Sequence, residues 1–343
     1  MKNKILYLCA NDGSDTRVSK EIETLSKSFD IFYLGVGKKS DLSFSLEKTH
    51  TSKLIPGSHK SLKTILILII NIIKLLSKNK FEKIHIVDEQ FYIFFLPFLL
   101  GQKVVLDIFD SFFLKLNLPN NKFYVGKRII YGFPKKIIVT DENRFGLLPK
   151  FAQKKAVVIP NVPKYQKYVK VTNDNRKLTI CYFGSLHKDR GTLFLDELLS
   201  NSDEVRVIAA GWLMDDYTKK FIKNDKVEYL GIMRQPQINE ILTNNGDYLL
   251  ALYPINNINN IYASPNKIYD GIQTQTPVII NSEIIVSSFV KDNNFGFVIE
   301  NKNDINFEKL LYELKKLKDT YTFDPETIKK YSWEMYEEKL IQL

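Results

Sequence analysis

The residues best suited by type and spacing to do chemistry lie in one short block of this 343-residue sequence, Ser264-Pro265-Asn266-Lys267-Ile268-Tyr269-Asp270-Gly271. Serine followed by proline is a helix-start signal, with Ser264 as the cap and Pro265 at the first helical position. Lys267 then falls in the first turn, where the aligned peptide dipoles favour an acid instead. A lysine there does little for the helix, but it suits a diphosphate lying over the helix start. Asp270 follows three residues on, one turn along the same face, within reach of ribose or sugar hydroxyls. The two side chains would equally make a solvated ion pair on a capped helix. A second candidate is Cys181-Tyr182-Phe183-Gly184-Ser185, a strand ending in a small-residue turn, with a helix starting after Arg190-Gly191. Glycine allows close backbone approach, the helix start favours an anion, and Arg190 adds a fixed charge. Such turns occur in every doubly wound protein.

The elements that must position these groups follow from the apolar pattern. Short β-branched or aromatic runs alternate with longer helical stretches from end to end, the pattern of parallel sheets with crossover helices. Strands are predicted at residues 5–10, 31–35, 83–87, 103–108, 136–139 and 156–159. A second set follows at 178–183, 205–210, 227–230, 248–252, 278–280 and 296–298. The predicted fold class is therefore α/β, with two Rossmann-like doubly wound domains facing a central cleft at the strand C-termini. The expected domains are 1–162 and 175–324, joined through the polar stretch Asn161 to Lys177, which includes Asn173, Asp174 and Asn175. Residues 325–343 read as an amphipathic C-terminal helix with Trp333, Tyr336, Leu340 and Ile341, able to pack back on the first domain.

Charge is unevenly placed. Residues 1–162 carry 26 Lys and Arg against 14 Asp and Glu, whereas residues 163–343 carry 23 against 25, so the first half is +12 and the second −2. No acid occurs between Ser111 and Thr140, where Lys115, Lys122, Lys127, Arg128, Lys135 and Lys136 interleave with aromatic residues. Such a surface suits anionic phospholipid or a pyrophosphate-bearing acceptor. No helix-turn-helix, RNA-binding or zinc-finger signature accompanies it, so nucleic acid is not an expected partner. The apolar stretch from Leu62 to Lys80 fits either a buried helix or an interfacial one on a membrane. No run approaches the length of a spanning helix. The N-terminal Ile5-Leu6-Tyr7-Leu8 reads as a buried strand, not a secretory signal. Cys9 and Cys181, inside apolar runs, read as free thiols of a reducing compartment. The expected location is cytoplasmic, peripheral on the inner face of the cell membrane.

Together these segments resemble bacterial glycosyltransferases of family 4, which have the GT-B architecture. The similarity runs nearly the whole length: Asp15-Thr16-Arg17-Val18-Ser19-Lys20-Glu21, Val105-Leu106-Asp107-Ile108-Phe109-Asp110, Val158-Ile159-Pro160-Asn161, Tyr182-Phe183-Gly184, Ala210-Gly211, Glu228-Tyr229-Leu230-Gly231 and the block from Ser264 to Ile280. The resemblance implies a nucleoside diphosphate sugar as co-substrate, a UDP-sugar before GDP- or TDP-sugars, with no other cofactor and no metal site. It places the donor diphosphate on Arg190 and Lys267, donor hydroxyls on Asp270, and the nucleobase against Ile232 to Arg234. It also assigns donor contacts to Gly184, Ser185, Gly211, Ser264 and Asn266, and brings Gly13 and Ser14 to the transferred sugar. The implied reaction is retaining transfer to a lipid-diphosphate-linked or glycan acceptor. The chain departs from the family at Tyr262, where a glutamate is usual, at Ser185, where a basic residue is common, and at Phe109, in place of a histidine.

In the first half, Asp110 is the candidate carboxylate for substrate positioning or proton handling, Asp107 reads as a loop-holding residue, and in the second half Asp270 is the other catalytic candidate. His85 and His187 are the histidines able to titrate near the site. His85 is the candidate acceptor or membrane contact alongside Lys115, Lys122, Lys127 and Arg128, with a strand-end structural role as its alternative. Asp88 and Glu89 read equally as acceptor contacts or solvated charges. Two further functions compete with transfer. A nucleotide-sugar 2-epimerase would need more cleft acids and histidines, and a non-catalytic glycan-binding or partner subunit would account for Tyr262 and Phe109.

Overall fold

The computed structural model describes residues 2–171, 177–300 and 304–343, so Asn173, Asp174 and Asn175 of the predicted join lie outside the described residues. The chain divides into two compact units, one of residues 1–161 with 336–343 and one of residues 162–335. The first is built on seven parallel strands: β1 Asn3–Leu8, β2 Phe29–Val36, β3 Thr51–Ile55, β4 Lys83–Val87, β5 Val104–Ile108, β6 Lys136–Val139 and β7 Ala156–Val158. Their order is β3-β2-β1-β4-β5-β6-β7, so the winding reverses between β1 and β4. Leu6, Leu8, Leu34, Ile84, Ile86, Leu106 and Ile137 are buried in the core, which explains why these strands read as apolar runs without alternation. The apolar pattern does not predict β3. It is an edge strand whose Thr51, Ser52 and Lys53 are exposed, and charged or polar residues blunt such an edge against further pairing.

The helices of this unit carry the departures from simple amphipathicity. Helix α1, Thr16–Ser26, is capped by Asp15, whose side chain accepts the N–H groups of Arg17 and Val18, yet it buries Arg17 and Glu21 on its inner face. Helix α2, Leu62–Lys78, buries Thr64, Ile65, Leu68 and Ile72. It leaves Leu62, Leu66, Ile70 and Ile73 between 48% and 72% exposed. No helix among the described residues is long and apolar enough to cross a membrane. Helix α3 spans Tyr124–Gly132.

Arg17 and Glu21 belong to a buried ionic quartet with His85 and Asp107. Arg17 Nε lies 2.8 Å from Glu21 Oε1 and its Nη2 lies 3.2 Å from Asp107 Oδ1. Its Nη1 donates to the Ile159 carbonyl at 2.8 Å. His85 Nε2 sits 3.1 Å from Glu21 and 3.4 Å from Asp107, and its ring stacks on Tyr7 at 4.6 Å between centroids. Two cations face two carboxylates, so the cluster balances only when His85 carries its proton. Burial alone would lower the imidazole pKa, but the adjacent Asp107 and Glu21 carboxylates outweigh it and raise it to about 9. The folded value lies above the unfolded one, so this stabilisation is complete below about pH 6.5 and is lost as pH rises through about 9. Its size near neutrality is about 2 kcal/mol. Thermal melts of wild type and His85→Gln should converge in stability between pH 7 and 9.5; parallel curves would refute the charged assignment.

The second unit contains β8 Leu178–Leu186, β9 Val205–Leu213, β10 Val227–Tyr229, β11 Tyr248–Leu250, β12 Val278–Asn281 and β13 Gly296–Ile299. These are parallel in the order β10-β9-β8-β11-β12-β13, with the winding reversed between β8 and β11. Every predicted strand is present, with ends displaced by three residues at most. Helix α4, Thr192–Ser200, follows β8, and helix α5, Asn266–Thr274, precedes β12. Residues 325–343 do not form one helix. A short helix Pro325–Lys330 stops at Tyr331, a turn buries Trp333, and a second helix, Glu337–Ile341, belongs to the first unit. Trp333 is buried in one unit and Leu340 in the other, at 0% and 1% exposure, so the chain must break between them.

Candidate functional site

The second unit gathers its polar candidates where β8 and β11 separate, the crevice in which open parallel sheets take ligands. Lys267 is the second residue of α5. Ser264 does not cap this helix: Pro265 occupies the cap position, with no side-chain cap bond, so the start lies one residue later than the Ser-Pro pair suggested. Lys267 remains in the first turn. Its Nζ donates to the Leu250 carbonyl at the end of β11 at 3.0 Å and lies 5.2 Å from the centroid of the Tyr182 ring on β8. Burial pushes the ammonium pKa down to about 7, Arg190 adds to the shift, and Asp270 opposes it. A lysine held this way gains its full charge when an anion arrives.

Arg190 closes the short turn Lys188–Arg190, and its guanidinium lies 5.3 Å from the centroid of the Tyr253 ring. Gly191 follows with φ +135° and opens α4. The Tyr182 hydroxyl accepts the His187 N–H at 2.9 Å and donates to the His187 carbonyl at 3.1 Å, so the ring under Lys267 also fixes the turn that carries Arg190. His187 itself caps this turn, its Nδ1 accepting the Asp189 N–H at 3.1 Å. Lys267, Arg190 and Asp270 therefore act on one another electrostatically within one unit. The expected turn after Phe183 is instead continued strand. Gly184 pairs in register with Gly211 and β8 runs on to Leu186. Gly211 has φ +137°, and a Cβ there would lie 1.8 Å from the Gly184 carbonyl oxygen, so only glycine fits. Ser185, Ile232 and Arg234 are exposed, while Asn266 and Ser264 are partly buried. Arg234 precedes the helix Gln235–Asn245, its N–H bonded to the Gln237 side chain at 3.0 Å.

In the first unit the loops after β1, β4 and β5 share one sheet edge. Gly13 has φ +82° and its N–H donates to Asn11 Oδ1 at 2.7 Å; the Ser14 N–H donates to Asp12 Oδ1 at 3.1 Å. Asp110 is exposed, 3.3 Å from Lys115 and 3.8 Å from Arg144. Asp88 has φ +64°, and its Oδ1 accepts the N–H groups of Phe109 and Asp110 at 2.9 and 3.1 Å. Burial, helped by the charges of Asp110 and Glu89, pushes its carboxyl up to about 7. Glu89 is fully buried and takes hydrogen bonds from Ser111 Oγ at 3.0 Å, the Phe112 N–H and the Tyr131 hydroxyl. Asp88, partly buried, holds the β5 loop beneath Asp110, and Glu89, shut off from solvent, holds the next turn.

Two surface assignments need correction. His85 is 1% exposed in the middle of β4, inside the ionic quartet, and touches neither acceptor nor membrane. Lys127 is also 1% exposed. Its Nζ donates to the carbonyls of Leu118 and Asn120 and lies over the Phe113 ring, so it ties the loop before α3 and is no surface cation. Lys115, Lys122 and Arg128 are exposed. Reading the sequence missed Tyr182 and Tyr253 as the rings beside these two cations, because aromatic residues in or beside strands look like core.

No protein-family model matches the sequence, and no curated protein does. Solved structures match over nearly the full chain. HepE from Anabaena, in complex with UDP and glucose, shares 14% identity at a TM-score of 0.69, covering 99% of this chain and 97% of that one. The lipopolysaccharide outer core galactosyltransferase WaaB shares 12% identity at 0.64, covering 98% and 97%. Sucrose-phosphate synthase from Thermosynechococcus elongatus shares 10% identity at 0.67, covering 99% and 98%. At these identities the likeness is one of fold: the chain has the GT-B fold, two parallel-sheet α/β domains.

Proposed function

We propose that the chain is a glycosyltransferase that takes a sugar from a nucleoside diphosphate donor, a UDP-sugar first, held by its second unit. One observation carries this reading: Lys267 and Arg190, each over a tyrosine ring, converge at the β8/β11 crevice beside the start of α5. Two cations at a helix start are suited to a diphosphate and to the charge it gains on leaving, which supports transfer without a metal. HepE, whose fold this chain shares, binds UDP and glucose. Asp270 on the next turn of α5 binds donor hydroxyls, and within the first unit Asp110 positions the acceptor. The acceptor is a lipid-diphosphate-linked sugar or growing glycan, and the transfer is retaining.

The first unit works on an anionic membrane surface. Its support is the outer face of α2, where Leu62, Leu66, Ile70 and Ile73 are exposed beside Lys63, Lys74 and Lys78, together with exposed Lys115, Lys122 and Arg128. Each such cation contributes about 1 kcal/mol near an anionic bilayer. The test of transfer is a thermal-shift screen with UDP-, GDP- and TDP-sugars, followed by nucleoside diphosphate release without acceptor. A stabilising donor that is slowly hydrolysed is the expected result; no shift with any donor would refute the reading. Leu66→Glu with Ile70→Glu should abolish sedimentation with phosphatidylglycerol vesicles and leave donor hydrolysis unchanged. Undiminished sedimentation would remove α2 from the membrane contact.

A further inference from the structure

One aromatic side chain at the C-terminal edge of the second sheet has no part in the diphosphate clamp. Trp212 is 50% exposed, whereas the other tryptophan, Trp333, is fully buried. The strands place it. β8 and β9 keep their register past the paired glycines, so Trp212 lies beside Ser185, which is small and exposed. The Gly211 N–H donates to the Gly231 carbonyl at 2.8 Å, and the Tyr229 hydroxyl donates to the Gly211 carbonyl at 2.7 Å. Trp212 and Ile232 each follow one of those two glycines, so they leave a single hydrogen-bonded junction between β9 and β10. Ile232 is 53% exposed and Met214, two residues beyond Trp212, is 57% exposed. Three large apolar side chains thus stand in water at one sheet edge.

That edge also carries Lys267 and Arg190. β9 lies next to β8, one strand out from the β8/β11 crevice. Neighbouring strands are about 4.8 Å apart, so the junction lies roughly 5 to 10 Å along the edge from the clamp, a span that a ribose and a phosphate cover. An indole offers a flat apolar face to a planar heterocycle and tolerates any base.

We infer that Trp212, flanked by Ile232, is the stacking platform for the nucleobase of the donor. This rests on the donor reading above and adds a residue to it: the clamp fixes the diphosphate and the indole fixes the base. Stacking makes the platform permissive, so base preference must come from the exposed turn Ile232 to Arg234.

Titrating UDP, GDP and TDP into the full chain by calorimetry tests it, with the melting temperature of each unliganded variant as a folding control. Trp212→Ala should weaken the tightest nucleotide about tenfold, and Trp212→Phe should restore affinity to within about threefold of wild type. Because Trp333 is buried, tryptophan emission should be quenched on nucleotide binding in wild type and unresponsive in Trp212→Phe. If Trp212→Ala binds as wild type does and emission is silent while Lys267→Ala loses the nucleotide, the platform is refuted and the clamp stands. If wild type binds none of the three nucleotides, the donor reading falls and the platform falls with it.

Discussion

Replacing Lys267 by alanine is expected to lower affinity for the preferred nucleoside diphosphate sugar about 100-fold, equivalent to about 3 kcal/mol, with little change in melting temperature. The loss is large because the ammonium is partly buried: its Nζ already gives one hydrogen bond to the Leu250 carbonyl and faces the Tyr182 ring. An anion arriving there meets a charge poorly screened by water. The same environment predicts a pH signature. Burial and Arg190 push the free lysine down to about 7, and a bound diphosphate raises it again, so binding takes up a proton. Affinity should be fully expressed below about pH 7 and fall as pH rises above it. Calorimetry in buffers of different ionisation enthalpy measures that uptake directly. It should vanish in Lys267→Ala, and a wild type that binds donor with no proton uptake would show that Lys267 is charged throughout.

The second large effect concerns stability. Arg17→Met should destabilise the first unit by about 3 to 5 kcal/mol, a large share of the about 5 to 15 kcal/mol that holds a domain folded. The substitution removes the guanidinium that neutralises Glu21 and Asp107 and leaves the Ile159 carbonyl without its donor. Although burial alone would raise it, Arg17 and His85 hold the Glu21 carboxyl well below the usual carboxylate range, which measures how strongly the cluster depends on its cations. Adding Glu21→Met to Arg17→Met should recover part of the loss, since one uncompensated carboxylate goes with it. Denaturant unfolding of the two single variants and the double variant gives the coupling. Strict additivity would mean that the quartet is not an energetic unit.

These two sites were unequally legible in the sequence. The parallel-sheet architecture was readable because buried strands such as Ile84 to Val87 and Val104 to Ile108 are continuous apolar runs, and a doubly covered sheet needs nothing else. The start of α5 was readable because Ser264, Pro265 and Lys267 form a local signal, although the cap fell one residue away from the serine. The quartet was not readable as a unit. Its members come from α1, β4 and β5, and an arginine and glutamate four apart on a helix look like any exposed pair until the sheet packs over them. Lys127 misled for a related reason: its charge sits in a run with no acids, and only the carbonyls of Leu118 and Asn120 show that it points inward. Strand β3 stayed hidden because an exposed edge removes the alternation by which strands are recognised.

The return of residues 336–343 to the first unit bears on the order in which the protein can be made. Leu340 is buried against that unit, Lys83 Nζ donates to the Ile341 carbonyl at 2.9 Å, and Lys27 pairs with Glu337. A ribosome delivers the first sheet early, but it withholds this closing segment until the whole second unit has been synthesised. The first sheet must therefore wait, incomplete along α1, while its successor folds. Trimming the segment would act as a lesion in the oldest part of the nascent chain, not the newest.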